Sequence, residues 1–277
     1  MTKCDIILYK NILLLINNEI FLMRRDEKWG ELVTSISENT KKVDFFVSDS
    51  DKSPHNYYGR IESLVEYLRD LHISFSQEVR DLVQLNLKRT KIYNLFLEEQ
   101  QGVISEYYYK RILSYIEKLN ELYMFLELEY LYKDLDLSMR VKERGSITDK
   151  LNHYCYRKEQ QGKIPLNKCL NDLFGVRVIL NGFDHSCEYF LRLCAEFSNQ
   201  DEYKIKVTNA SKNGYVATHI YFQGVRGDNF SFPWELQIWS KSDEKKNLDS
   251  HYKHKQSYKE WPEKYKKSTN LEMRGGC

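Results

Sequence analysis

The sequence predicts an α+β fold, a mixed β-sheet flanked by helices and preceded by a small β-rich and helical N-terminal region. Three observations carry this. Between residues 61 and 132 apolar side chains recur every three or four positions, the spacing of one face of a helix. From 175 onward the pattern changes to alternation with a period of two, the signature of half-buried strands. A helix-period segment, 184–197, interrupts those strands, so helices and strands are mixed along the chain.

Taken in order, residues 5–47 read as short strands. Residues 12–16 and 19–23 flank Asn17-Asn18, a two-residue hairpin turn that tolerates positive φ. Stretches 32–36 and 43–47 add two more strands, giving a β-rich accessory region over 1–56. The polar run 48–54 is a linker. A helical connector follows over 57–100. Ile61, Leu64, Val65, Leu68 and Leu71 form one amphipathic face, and Ser76 caps a second helix with Val79, Leu82, Val83 and Ile92 inward. A third helix, about 105–132, carries Ile112, Ile116, Leu119, Tyr123, Leu126 and Tyr130 on one stripe. It opens a unit spanning 101–277.

In that unit a helix is expected over 146–158. A strand over 175–180 puts Val176, Val178 and Leu180 on one face. Asp184 caps a helix through Phe197, with Phe190, Leu193, Cys194 and Phe197 inward. Then Tyr203, Ile205 and Val207 alternate with polar neighbours. In 215–222, Tyr215, Ala217, His219 and Tyr221 share one face. In 233–239, Trp234, Leu236 and Ile238 face the core, while Glu235 and Gln237 point the other way. One sheet can therefore present Tyr215, His219, Glu235 and Gln237 together on its non-core side.

Composition bounds the function. With 277 residues, 42% apolar and 30% charged, the chain is globular and not disordered. A net charge of +2 argues against a global nucleic-acid surface, so any basic site must be local. The six cysteines have no C-x-x-C spacing and read as free thiols of a reducing cytosol. Residues 6–23 are apolar but broken by Lys10, Asn17, Asn18 and Glu19, which is too interrupted to span a membrane.

The chemistry concentrates at 140–150. Arg140, Lys142, Arg144 and Lys150 place four cations and the Ser146 hydroxyl within eleven residues. Ser146 with Asp149 reads as an S-x-x-D helix cap, whose first free N–H groups can hold a phosphate. Lys150 lies one turn further on the same helix and reaches the same anion. Asp172 stands in front of a strand some twenty residues later. A basic run before a capped helix is more often a plain solvated face, so the downstream pattern decides.

That pattern is R-x-K-x-x-x-S-x-x-x-K at Arg140, Lys142, Ser146 and Lys150, then D-x-x-G-x-R at Asp172, Gly175 and Arg177. N-G-Y-x-x-x-H follows at Asn213, Gly214, Tyr215 and His219, then E-x-Q-I at Glu235, Gln237 and Ile238, and finally His251-Tyr-Lys253-His-Lys255. In order and spacing, over about residues 100–260, it resembles the synthetase domain of the RelA/SpoT family, small alarmone synthetases and their toxic relatives included.

The resemblance implies a nucleotidyltransferase-like fold that moves pyrophosphate from ATP to the 3′-hydroxyl of GDP or GTP with Mg²⁺, making (p)ppGpp. It puts ATP on Arg140, Lys142, Ser146, Lys150 and Arg177, and Mg²⁺ on Asp172 and Glu235. The acceptor falls to Lys212, Asn213, Tyr215, His219 and Gln237, with Tyr215 stacking on guanine. Either Glu235, the favoured group, or a hydroxide on the metal takes the proton from the acceptor hydroxyl. Arg140 can also stack on adenine, and Arg177 is divided between phosphate and Asp172.

Two departures concern the acceptor. Ser211 stands where the family has a lysine, with Lys212 shifted beside Asn213, and Trp239 stands where the family often has arginine. These and a tail from His251 to Lys267, with six lysines among four aromatics, leave a second expectation open: pyrophosphorylation of the tRNA 3′-CCA end, or formation of (p)ppApp. The tail could equally close over ATP or be an ordinary exposed helix. A third expectation is a non-catalytic nucleotide-binding module. A homo-oligomer or an antitoxin partner is compatible with each. Residues 1–100 contain no His-Asp pair of the family's hydrolase type, so synthesis alone is expected.

Overall fold

The structure is a computed structural model that describes residues 29–31, 33–35, 56–100, 102–156 and 161–253. The hairpin and strands expected at 12–16, 19–23 and 43–47, the 48–54 linker and the tail beyond 253 lie outside the described residues. Residues 33–35 are helical where a strand was expected. Trp29 just before them is buried and stacks on Phe75 with ring centroids 5.7 Å apart. Burial against a helix overrode the β-branched composition of this stretch.

Helix α1 runs unbroken from Asn56 to Val83, where two helices were expected. No glycine or proline falls between 60 and 83, and the apolar stripe continues through Phe75 and Val79, so Ser76 lies inside the helix and caps nothing. Leu82 is 42% exposed, on the outer face. The expected third helix stops early. Helix α2 covers Glu106–Tyr123 and a single turn, α3, covers Leu128–Leu131. Ile112, Ile116 and Leu119 are buried as expected, but Tyr130 is 74% exposed and belongs to no core stripe.

Strand β1, Leu137–Val141, was not foreseen. It is a short edge strand whose residues alternate between half-buried and exposed, and its polar Ser138 and Arg140 hide the apolar set. Helices α4 (Arg144–Tyr156) and α5 (Leu166–Cys169) follow. Next come β2 (Phe174–Leu180), α6 (Glu188–Ser198), β3 (Tyr203–Asn209), β4 (Thr218–Val225) and β5 (Trp234–Ser240). Residues 244–253 are helical and are called α7. Cys187, not Asp184, is the N-cap residue of α6. Asp184 instead accepts hydrogen bonds from the backbone and hydroxyl of Ser186.

The five strands form one mixed sheet in the order β1-β2-β5-β4-β3, with β2 and β5 parallel and the other pairs antiparallel. Its apolar face, including Val176, Val178, Ile205, Ile220, Phe222, Leu236 and Ile238, is buried. Helix α1 packs against α2, α6 and β4, and α6 against β3. Trp234 is central. Its indole donates to the Tyr115 hydroxyl at 2.9 Å, and the rings of His72, Phe75 and Phe174 pack within 5.4 Å. Each such buried side chain contributes about 1.5–3 kcal/mol. This layer therefore holds the helices far more firmly than intrinsic propensity does. It also leaves the other sheet face for polar residues.

Candidate functional site

Pairing register gathers the site. Arg140 on β1 lies opposite Gly175 on β2, Gly175 opposite Glu235 on β5, and Glu235 opposite Tyr221 on β4. Two residues further along, Arg177 meets Gln237 and Gln237 meets His219. All seven share the polar face by the two-residue period. The Arg140 side chain lies across Gly175, where a Cβ would be in ordinary van der Waals contact with Nε at 3.5 Å. Ser138, Arg140, Gly175, Arg177 and Gln237 line a shallow pocket.

Asp172 is buried just ahead of β2, at the end of the sheet where Glu235 is the second residue of β5. Lys142 donates to its Oδ2 at 2.6 Å and Lys150 to its Oδ1 at 2.9 Å. Burial alone would raise the carboxyl's pKa, but the two ammonium groups hold it well below the ordinary range. Burial draws Lys142 down, while Asp172 outweighs burial at Lys150 and keeps it up. Asp172 and the two lysines thus form a buried charged triad.

The acidic partner across the sheet is held differently. Glu235 Oε1 lies 2.9 Å from His219 Nδ1, and Gln237 Nε2 donates to Oε2 at 2.6 Å. Burial pushes this carboxyl up, but the histidine and the amide pull it below its usual value, and the nearby charge of Asp172 opposes them. The two acids therefore feel each other's charge. Both are ionised, and hard carboxylate oxygens are the donors Mg²⁺ takes in ones and twos beside substrate phosphates. The pair fits that ion. Among the described residues no larger His, Cys, Asp and Glu cluster could hold a metal.

Tyr215 precedes β4 and does not belong to it. Asn213 and Gly214 both have positive φ, and Lys212 and Tyr215 exchange backbone hydrogen bonds at 2.9 and 3.1 Å, the type I′ turn that Asn-Gly favours. The Tyr215 hydroxyl lies 2.8 Å from His219 Nε2, and the Trp239 indole donates to it at 3.2 Å. Burial raises the phenol's pKa to about 12. Since an ionised Glu235 can only accept, His219 donates to it from Nδ1, and the Nε2 of the neutral imidazole accepts the hydrogen bond of the Tyr215 hydroxyl.

Several expected residues stand elsewhere. Ser146 is the third residue of α4 and no cap, because the helix starts at Arg144 and Glu143 O accepts the Ile147 N–H at 3.1 Å. Arg177 does not pair with Asp172. It donates twice to Gln237 Oε1, at 3.0 and 3.1 Å, with its Cζ 3.8 Å over the Trp239 ring. Arg144 turns outward to Glu117 at 2.9 Å, and Lys212 is exposed in the turn. The structure places Arg140, Lys142, Lys150, Asp172, His219, Glu235 and Gln237 on or beside one sheet face.

Two contributors had no assigned role. Trp239, noted only as a departure on the acceptor side, shares a face with Glu235 and Gln237 by the same two-residue period that placed them, so that signal was available. Asn247 on α7 is fully buried; its side chain accepts from the Val216 N–H at 2.8 Å and donates to the Val216 carbonyl at 2.7 Å. Nothing in the sequence marked it. It docks α7 so that His251 lies 5.9 Å from the Tyr215 ring and 5.8 Å from that of Trp239. Burial, then Arg177 and Arg140, press the His251 pKa down to about 4.

The sheet face sets a cluster of cations against two ionised carboxylates. The model of the region found in RelA / SpoT proteins matches residues 139–263, from β1 through α7 and beyond. Among solved structures the chain is similar to the small alarmone synthetase 1 from Bacillus subtilis, at 16% identity over 62% of this chain and 100% of that one, with a TM-score of 0.33. The same synthetase bound to AMPCPP aligns at 16% identity over 59% and 91%, with a TM-score of 0.26. A search of curated proteins returns no match. No helix among the described residues is long and apolar enough to cross a membrane.

Proposed function

We propose that the chain transfers pyrophosphate from ATP to the 3′-hydroxyl of GDP or GTP, as a cytosolic (p)ppGpp synthetase. The observation that carries this reading is the convergence of Arg140, Lys142 and Lys150 with Asp172 and Glu235 at one end of the polar sheet face, within the stretch that the RelA / SpoT region model matches.

In this reading the donor phosphates take up the charge of Lys142 and Lys150, and Arg140 and Arg177 hold the nucleotide from the β1–β2 side. Pyrophosphoryl transfer demands mainly positioning and charge neutralisation. Asp172 and Glu235 would hold Mg²⁺, which supplies positive charge at the phosphates when bound. With ATP present the two lysines exchange their carboxylate for phosphate, and Asp172 is released from them. Tyr215 and His219 border the acceptor, and Glu235, held by His219 and Gln237, takes the proton of the acceptor hydroxyl.

Labelled ATP incubated with GDP or GTP tests the reading: label in a guanosine product supports it, and none in any acceptor refutes it. One observation favours a second acceptor. Trp239 replaces the family's arginine beneath the acceptor side and is wholly buried there, so tRNA and ADP belong in the same assay.

A further inference from the structure

The polar face contains a closed circuit of contacts. Arg177 donates to Gln237, Gln237 to Glu235, and His219 to Glu235. Tyr215 donates to His219, the Trp239 indole N–H to Tyr215, and the Trp239 ring lies under the Arg177 guanidinium. Trp239 closes this loop with its two chemically distinct parts, a π-face and an N–H. It is wholly buried, and His251 packs 5.8 Å from its ring while also lying 3.5 Å from the Arg177 guanidinium. A planar guanidinium over an indole keeps its N–H fork fixed in plane, while the single donor on the other edge of the ring fixes the Tyr215 hydroxyl.

We propose that Trp239 is a positioning residue that couples the two half-sites of this centre: it orients Arg177 on the nucleotide-donor side through its ring and Tyr215 on the acceptor side through its N–H. This rests on the pyrophosphate-transfer reading above and deepens it. A donor nucleotide that orders Arg177 thereby orders Trp239 and Tyr215, so the acceptor meets a site already set. Coupling of this kind is reciprocal between the two ligands.

Calorimetry with a non-hydrolysable ATP analogue and with GDP, each alone and together, tests it. In the parent chain GDP binds several-fold tighter when the analogue is present. Trp239→Phe keeps a ring under Arg177 and loses the N–H; its analogue affinity stays within about twofold while the coupling drops, and GDP alone binds about 5–10-fold more weakly, the worth of one hydrogen bond. In Trp239→Leu the analogue also weakens, by about tenfold, as expected for a lost cation–π contact. Combining Trp239→Phe with Tyr215→Phe adds nothing to the GDP loss of Tyr215→Phe alone, because both cut the same bond.

An unchanged coupling factor in Trp239→Phe, or additive losses in the double variant, overturns the inference while a parent that transfers label leaves the function standing. A parent that does not bind the analogue overturns both. The phenylalanine variants make the test independent of whether Trp239→Leu folds.

Discussion

Asp172 and Lys150 meet at 2.9 Å in the interior, one ahead of β2 and the other on α4, and Lys142 takes the second carboxylate oxygen at 2.6 Å. Every oxygen of the expected metal ligand is thus occupied by an ammonium group. Two cations stand where a divalent cation and a polyphosphate would be expected to rearrange them.

Asp172→Asn should therefore separate binding from transfer. It leaves the buried Lys150 and the half-buried Lys142 without a counter-charge and costs about 3–5 kcal/mol of stability. A polyphosphate supplies the missing charge, so an ATP analogue without Mg²⁺ binds the variant at least as tightly as the parent and raises its melting temperature more. Transfer is lost. Thermal shift and calorimetry without metal check this; weaker analogue binding in the variant contradicts the exchange.

Glu235→Gln retains the volume of the side chain but removes the base and its charge. The rate of transfer should fall by about 10²–10⁴, the usual worth of general-base catalysis, with ATP-analogue affinity little changed in the absence of Mg²⁺. Initial rates at saturating substrate measure it. A loss below tenfold would move the proton-accepting role to another group.

His72 gives a prediction about stability and pH. It is fully buried, its Nε2 donating to the Phe232 carbonyl at 2.9 Å and its Nδ1 accepting from Tyr203 at 2.6 Å. Burial lowers its pKa from 6.5 to about 4, against small raising contributions from the Phe232 carbonyl and Asp228. The unfolded chain then binds the proton more readily than the folded one. Stability from this group is fully present above pH 6.5, declines as pH falls from 6.5 toward 4, and levels off below that. The 2.5-unit difference amounts to about 3 kcal/mol. His251, lowered in the same range, adds to the slope. Urea titrations at stepped pH should show His72→Gln with a shallower decline than the parent between pH 6.5 and 4.

Asn247→Ala removes both hydrogen bonds that hold α7 to Val216 and strands a buried N–H and C=O. The expected cost is about 2–4 kcal/mol, from two buried backbone groups left unpaired. Acceptor binding should weaken more than donor binding, because His251 leaves Tyr215 and Trp239 when α7 undocks. Melting temperature and separate affinities for GDP and the ATP analogue check the two halves of this statement.

Much of the polar face was legible because a strand writes its two faces alternately. Glu235 and Gln237 were separable from Trp234, Leu236 and Ile238 on that ground alone, and the same rule reached His219. Motif order placed Asp172 with the lysines, which periodicity could not, since their meeting depends on α4 folding back over the start of β2. What escaped the sequence was short or context-bound. Edge strand β1 has five residues, two of them polar on the exposed side. Arg177 carries no mark of which neighbour it prefers, and a tryptophan at its side settled that. Ser146 obeyed a capping rule that Glu143, three residues earlier, fulfilled instead with its backbone.

The most direct measurement is a transfer assay with β-labelled ATP and Mg²⁺, offering GDP, GTP, ADP and tRNA in parallel to the parent, Asp172→Asn and Glu235→Gln. The account predicts label on a guanosine nucleotide with the parent and a loss of at least a hundredfold in both variants. Label on no acceptor with the parent, or equal transfer by all three proteins, would contradict it.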